Sequence, residues 1–164
     1  MSGISFVEAL HYHTDENVRI EFSDGYISRI IPLGETAGKK SSIIVAPGLI
    51  DNQVNGYVGV DFSEDGLTPE LMEKVVEAIR RDGITSFLPT FITNSHENLL
   101  RNFRLAGSTL KNVNIGDSVP GFHLEGPYIS PEYGYYGTHP SEVVRKADWE
   151  ECIIYQQAAG GKIN

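Results

Sequence analysis

The sequence is poor in cysteine, in cations and in long apolar runs. A single cysteine, Cys152, in 164 residues excludes an intrachain disulfide, and nothing points to an oxidising compartment. Lysine and arginine number 13 against 22 aspartates and glutamates, a formal net charge of −9. Such a chain repels nucleic-acid backbones and anionic lipid surfaces, so neither nucleic acid nor membrane is an expected partner. A small anionic ligand is still compatible with it, because that needs only a local site. No apolar run approaches the ~20 residues that span a bilayer. The opening MSGISFVEALHYH has neither the basic start nor the apolar stretch of a secretion signal. The expected location is the cytoplasm.

What is present suffices for one globular domain: hydrophobic residues make up 40% of the chain, so disorder is not indicated. Residues 1–46 read as short strands and turns. Val18, Ile20 and Phe22 alternate, Asp24-Gly25 is a hairpin turn, and Ile27 and Ile30 follow. Residues 33–42 read as a polar loop, and IIVAPG after it as a buried run.

From about residue 47 the rhythm becomes strand, loop, helix. GLIDNQV ends one apolar run. A helix is predicted over 68–82, capped by Thr68, with Pro69 in its first turn and Leu71, Met72, Val75, Val76 and Ile79 as its buried stripe. Gly83 stops it. ITSFLP is the second strand, 95–111 the second helix and VPGFHLEG the third strand. Residues 148–159 form a third helix with Asp148 as cap and Gly160-Gly161 as stop, and KIN begins a fourth strand. The strand centres near Ile50, Ser86 and Phe122 are 36 residues apart, the spacing of βα units in a parallel sheet. A complete (β/α)8 barrel needs roughly 250 residues, so the chain reads as the first part of something larger.

In parallel α/β folds the chemistry gathers at the C-terminal ends of strands. Polar residues collect there: Asp51, Gln53 and Asn55 after the first strand, Thr90 and Thr93-Asn94 after the second, His123 and Glu125 at the third. A long loop with His139 follows. Residues two apart in a strand share a face, so His123 and Glu125 point one way and Phe122 and Leu124 the other. A carboxylate there is either a metal ligand or one half of a structural ion pair, and the spacing alone leaves both open. Asp51 orients turn amides or lies near a metal. His11 and His13 read as solvated strand residues, His96 as an exposed helix start, Cys152 as a small apolar filler and Trp149 as a packing residue. Tyr133, Tyr135 and Tyr136 cover a substrate, pack within the loop or meet a second subunit.

APGLIDNQVNGYVGVDF, TSFLPTFIT and GFHLEGPYISPEYGYYGTHP occur in this order over nearly the whole chain. Together they resemble the N-terminal portion of the N-acetylglucosamine-6-phosphate deacetylases, a branch of the amidohydrolase superfamily. The resemblance implies an α/β fold: a small β-sandwich segment over 1–46, then the first three βα units of a TIM-like metal-dependent hydrolase barrel over 47–164. It implies hydrolysis of the acetamide of N-acetylglucosamine 6-phosphate to glucosamine 6-phosphate and acetate in the cytoplasm, by a protein that is a homodimer when full length. One divalent metal is implied, zinc first, with iron, manganese or cobalt as alternatives. The metal would activate a water and polarise the amide carbonyl, and a carboxylate would shuttle the proton. By resemblance Glu125 is a metal ligand, His139 contacts the sugar, and His123 supports the site from behind. Gln53 and Asn55 stand where the superfamily usually has His-x-His. Amides are poor zinc ligands, so the resemblance implies a mononuclear site in which they shape the substrate pocket or contact the metal's water.

The family's metal-binding histidines and catalytic base are expected beyond Asn164, and no histidine follows His139. The 164 residues alone are expected to be inactive. Two other readings compete: another amidohydrolase, dihydroorotase-like or adenine-deaminase-like, and a non-catalytic fragment that binds a sugar phosphate or a partner.

Overall fold

The computed structural model describes residues 5–34 and 40–164, so the middle of the polar loop expected over 33–42 lies outside the described residues. The fold is mixed α/β, and the chain divides into two compact units, 1–47 and 48–164.

The first unit is one sheet of four strands: β1 (Ser5–His11), β2 (Asn17–Ser23), β3 (Tyr26–Pro32) and β4 (Ile44–Val45), in the order β3-β2-β1-β4. The β2–β3 turn forms where expected. Asp24 and Gly25 both have positive φ, 53° and 83°, which a two-residue turn between right-twisted strands demands. Val18 and Ile20 of β2 and Ala9 of β1 are buried. The IIVAPG run is not: Ile43 and Ile44 are exposed, because β4 is a two-residue edge strand paired only with β1. A sandwich needs a second sheet, and the described residues of this unit form only one.

The second unit opens with β5 (Leu49–Val54), then a short hairpin of β6 (Gly56–Tyr57) and β7 (Val60–Asp61) without a counterpart in the sequence reading. Next come α1 (Pro69–Arg81), β8 (Ile84–Ile92), α2 (His96–Thr109), the single turn α3 (Val113–Gly116), β9 (His123–Glu125) and α4 (Trp149–Ala158). Strands β5, β8 and β9 form a parallel sheet in that order. Ile163 bridges Phe122 in parallel, so KIN lies beside the residue that leads into β9, as a single bridge rather than a full strand.

Local chemistry sets the helix ends. The Thr68 hydroxyl accepts from Leu71 N, and the Asp148 carboxylate accepts from Glu150 N and Glu151 N. Gly83, Gly160 and Gly161 all have positive φ where α1 and α4 stop. On α1, Met72, Val75, Val76 and Ile79 are buried, as the stripe requires, and Leu71 is half-buried at its rim. Strand lengths departed from expectation: β8 runs on to Ile92 and β9 has only three residues.

An aromatic cluster fills the space between sheet and helices. Phe91 packs against Phe103 with ring centroids 4.6 Å apart and meets Phe122 edge-on at 5.8 Å. Phe103 continues to Tyr155 of α4 at 5.7 Å. Phe91 and Phe122 point inward, so Thr90, Ile92, His123 and Glu125 belong to the opposite face or the strand end. The core thereby dictates which side chains reach the site.

Candidate functional site

Register places the polar strand ends side by side. Thr90 pairs with His123 and Ile92 with Glu125 across β8 and β9, while Val54 of β5 pairs with Pro89. The last residues of the three strands, and the loop after β9, therefore meet at one end of the sheet.

Glu125 is the centre of that meeting. Its Oε2 accepts from Gln53 Nε2 at 3.0 Å and from Asn55 Nδ2 at 3.2 Å, residues 72 and 70 positions earlier in the sequence. Its Oε1 lies 3.7 Å from His139 Nε2. The other ring nitrogen, Nδ1, is 2.8 Å from the hydroxyl of Thr93, a residue that is buried just past the end of β8. Thr93 Oγ1 also lies 3.5 Å from the Glu125 carbonyl, at the limit of a hydrogen bond. Gly126 makes this approach feasible. Its φ is +80°, and a Cβ there would overlap the Thr93 hydroxyl.

Gln53, Asn55, Glu125 and His139, singled out in the sequence, thus come together. Asp51 does not join them: its carboxylate accepts from Gln53 N at 3.0 Å, a bond within the last residues of β5. His123 lies half-buried one pleat back on the Glu125 face and makes none of the cluster's hydrogen bonds. The Gln53 and Asn55 amides donate to a carboxylate, so both present nitrogen to Glu125.

Other expectations need correction. His96 starts its helix as expected but is half-buried rather than exposed; its Nδ1 lies 2.8 Å from Glu151 and 3.1 Å from the Tyr155 hydroxyl, because α4 packs across the start of α2. Trp149 is not a packing residue but 77% exposed, at the first turn of α4. It rims an apolar groove of about 300 Å³ with Leu124, Cys152, Ile153 and Ile163. His13 sits in the turn after β1, and His11 Nδ1 accepts from Thr14 N, so the pair stays in the first unit.

Sequence reasoning missed two features. It named Thr93 as a strand-end polar residue but not as the partner of His139. It did not see the ion pair of Arg145 with Glu151, backed by Tyr128 and Tyr155. Burial pushes the Glu151 carboxyl up, but bonds from Arg145, Tyr128, His96 and Tyr155 outweigh it and bring it down to about 2. Burial, then the bond to Glu151, holds the Tyr128 phenol far above its ordinary value.

Metal chemistry needs more than this cluster holds. A catalytic zinc takes three protein ligands. Glu125 and His139 supply one carboxylate and one imidazole, and among the described residues no group of three or more His, Cys, Asp or Glu gathers to hold an ion. These residues do not by themselves form a metal centre. A cavity of about 310 Å³ beside Thr93 is lined by Asp61, Glu64 and Asp65 as well as Pro140. That lining repels a phosphate rather than binding it.

Comparison with known proteins gives the family of the chain. The chain is 30% identical over 146 residues to the N-acetylgalactosamine-6-phosphate deacetylase of Escherichia coli O157:H7, covering 87% of this chain and 37% of that protein. It is 30% identical over 157 residues to the N-acetylglucosamine-6-phosphate deacetylase of Bacillus subtilis (strain 168), covering 90% and 39%. The chain belongs with the N-acetylglucosamine-6-phosphate deacetylases and matches their N-terminal portion. Fold agrees with sequence: the crystal structure of the deacetylase from Pasteurella multocida superposes with a TM-score of 0.76 at 26% identity, over 98% of this chain and 43% of that one. The chain spans about two fifths of the length of these deacetylase relatives. No protein-family model matches it. Among the described residues no helix is long and apolar enough to cross a membrane.

Proposed function

We propose that this chain supplies the first part of the active site of a cytoplasmic hydrolase that removes the acetyl group from N-acetylglucosamine 6-phosphate, giving glucosamine 6-phosphate and acetate. One observation carries the reading: a carboxylate at the end of β9 receives two amides from the end of β5 and faces an imidazole from the loop that follows. Glu125 is the proposed ligand of one divalent metal, zinc first, then iron, manganese or cobalt. Its other ligands and the catalytic base come from outside the described residues. Gln53 and Asn55 hold the carboxylate in one orientation and border the sugar, and His139 contacts the sugar. His123 supports Glu125 from behind. The parallel strands are the proposed start of a (β/α)8 barrel, the first unit is part of a small β-sandwich, and the complete protein is a homodimer.

A second reading rests on the relative named for N-acetylgalactosamine 6-phosphate. The two sugars differ only in the C4 hydroxyl, so comparing kcat/KM for both decides between them.

The test begins with the intact mass of the protein expressed from its native gene, set against 18.1 kDa for these residues. Acetate release is then assayed with the purified protein and its Glu125→Ala variant. The expected result is a heavier, active protein that Glu125→Ala inactivates with loss of bound metal. Full activity in that variant refutes the assignment of Glu125. A mass near 18.1 kDa, with sugar-phosphate binding and no turnover, replaces the hydrolase with a non-catalytic binding protein.

A further inference from the structure

His139 lies in a long connection between β9 and α4 that has no regular secondary structure, residues 126–148. A histidine carried on such a loop needs something to fix it. Its own contact, to Thr93, reaches the end of β8. The side chain that ties both sides of that contact together is Arg145.

The Arg145 guanidinium has five N–H donors, and all five are engaged. Nε donates to Glu151 Oε2 at 3.0 Å, and Nη2 to Glu151 Oε1 and to the Tyr155 hydroxyl, both at 2.9 Å. Nη1 donates to the Val143 carbonyl at 2.9 Å and to the Asn94 carbonyl at 3.0 Å. Asn94 is the residue after Thr93. The Arg145 backbone N–H donates to the Pro127 carbonyl at 3.0 Å, which draws the two ends of the His139 loop together. One residue thus grips the strand end that holds Thr93, closes the loop that holds His139, and anchors both to α4. The anchor is firm because Glu151 also accepts from Tyr128 at 2.6 Å and from Tyr155 at 2.9 Å. A lysine has three donors around one point and cannot reproduce the planar fork.

We propose that Arg145 is a positioning residue of the candidate site, holding His139 against Thr93 by fixing the strand end and the loop at once. The proposal rests on the reading of His139 as a sugar contact, and it is tested so that the two can fail separately. The first readout is the NMR cross-relaxation peak between the His139 ring and the Thr93 methyl in the 164-residue chain, with the melting temperature measured alongside. Arg145→Lys is expected to abolish the peak in a chain that is still folded. A lower melting temperature with the peak intact makes Arg145 merely structural and overturns the proposal. Should Arg145→Lys fail to fold, Glu151→Gln carries the same comparison: it removes the ionic half of the clamp, and an unchanged peak overturns the proposal.

The second readout is binding of N-acetylglucosamine 6-phosphate. Arg145→Lys is expected to weaken it about tenfold, the worth of one charge-assisted hydrogen bond. In a His139→Ala background the same change should cost less than about twofold, because residues acting through one another are not additive. Full additivity overturns the positioning role. Unchanged binding in His139→Ala alone refutes the sugar-contact reading, and the cross-relaxation peak then still decides whether Arg145 holds His139 in place.

Discussion

Glu125 was legible in the sequence because two constraints act on one short stretch. Phe122 and Leu124 had to face the core, so His123 and Glu125 had to face away from it, at a strand end where parallel folds collect chemistry. The same rule reached Gln53 and Asn55. It could not reach the pairing of His139 with Thr93, 46 residues apart, or of Arg145 with Asn94, 51 apart, because loop geometry leaves no periodicity to read. Gly126 shows how closely such a contact is built. Its backbone lies in the left-handed region, and a Cβ would occupy the place of the Thr93 hydroxyl. Gly126→Ala should therefore cost about 1–3 kcal/mol of stability from backbone strain. It should also move Thr93 away from His139. Urea denaturation measures the first effect and sugar-phosphate binding the second; a variant with unchanged values of both would show that the strand end adapts freely.

At the scale of elements, caps and stripes were readable and strand lengths were not. Thr68 and Asp148 cap their helices because a side-chain oxygen satisfies amides that have no partner in the first turn. Asp148→Ala should lower stability by about 1 kcal/mol, seen as a shift in denaturation midpoint without a change in slope. Strand length is decided by neighbours: β9 has three residues because pairing with β8 ends where Glu125 turns into the site. The interlock of α4 with the loop before it makes a pH prediction. Glu151 titrates at about 2 in the fold against an ordinary value of 4.5. Its folded pKa is depressed, so its contribution is fully present above about 4.5 and lost as pH falls towards 2. The stability gap between the native chain and Glu151→Gln should be widest near pH 6 and close progressively below pH 4.5. A gap that stays constant from pH 6 to pH 3 would mean that Glu151 is not held ionised by Arg145 and its phenol partners.

On the scale of the whole molecule, the two units differ in how much apolar surface each buries. In the first, Ala9, Val18 and Ile20 are the buried apolar side chains among the described residues, and Ile27, Ile30, Ile43 and Ile44 are exposed. In the second, Phe62, Phe87, Phe91, Phe103, Phe122 and Tyr155 form one continuous core under the α1 stripe. The periodicity of α1 and the 36-residue strand spacing announced that core. Exposure in the first unit was not announced, because alternation says which residues share a face and not whether anything covers it. Phe91 is fully buried with aromatic neighbours on three sides, so Phe91→Ala should cost about 3–5 kcal/mol. Local opening requires only the local core to be lost. The amides of β8, central in its sheet and backed by that core, should exchange with solvent most slowly, and those of β2, central in its own sheet but backed by few buried side chains, should exchange much faster. Native-state hydrogen exchange read by mass spectrometry distinguishes the two strands. Protection in β2 equal to that in β8 would mean that the first unit opens only when the second does, and that the difference in buried apolar surface does not set the stability of either.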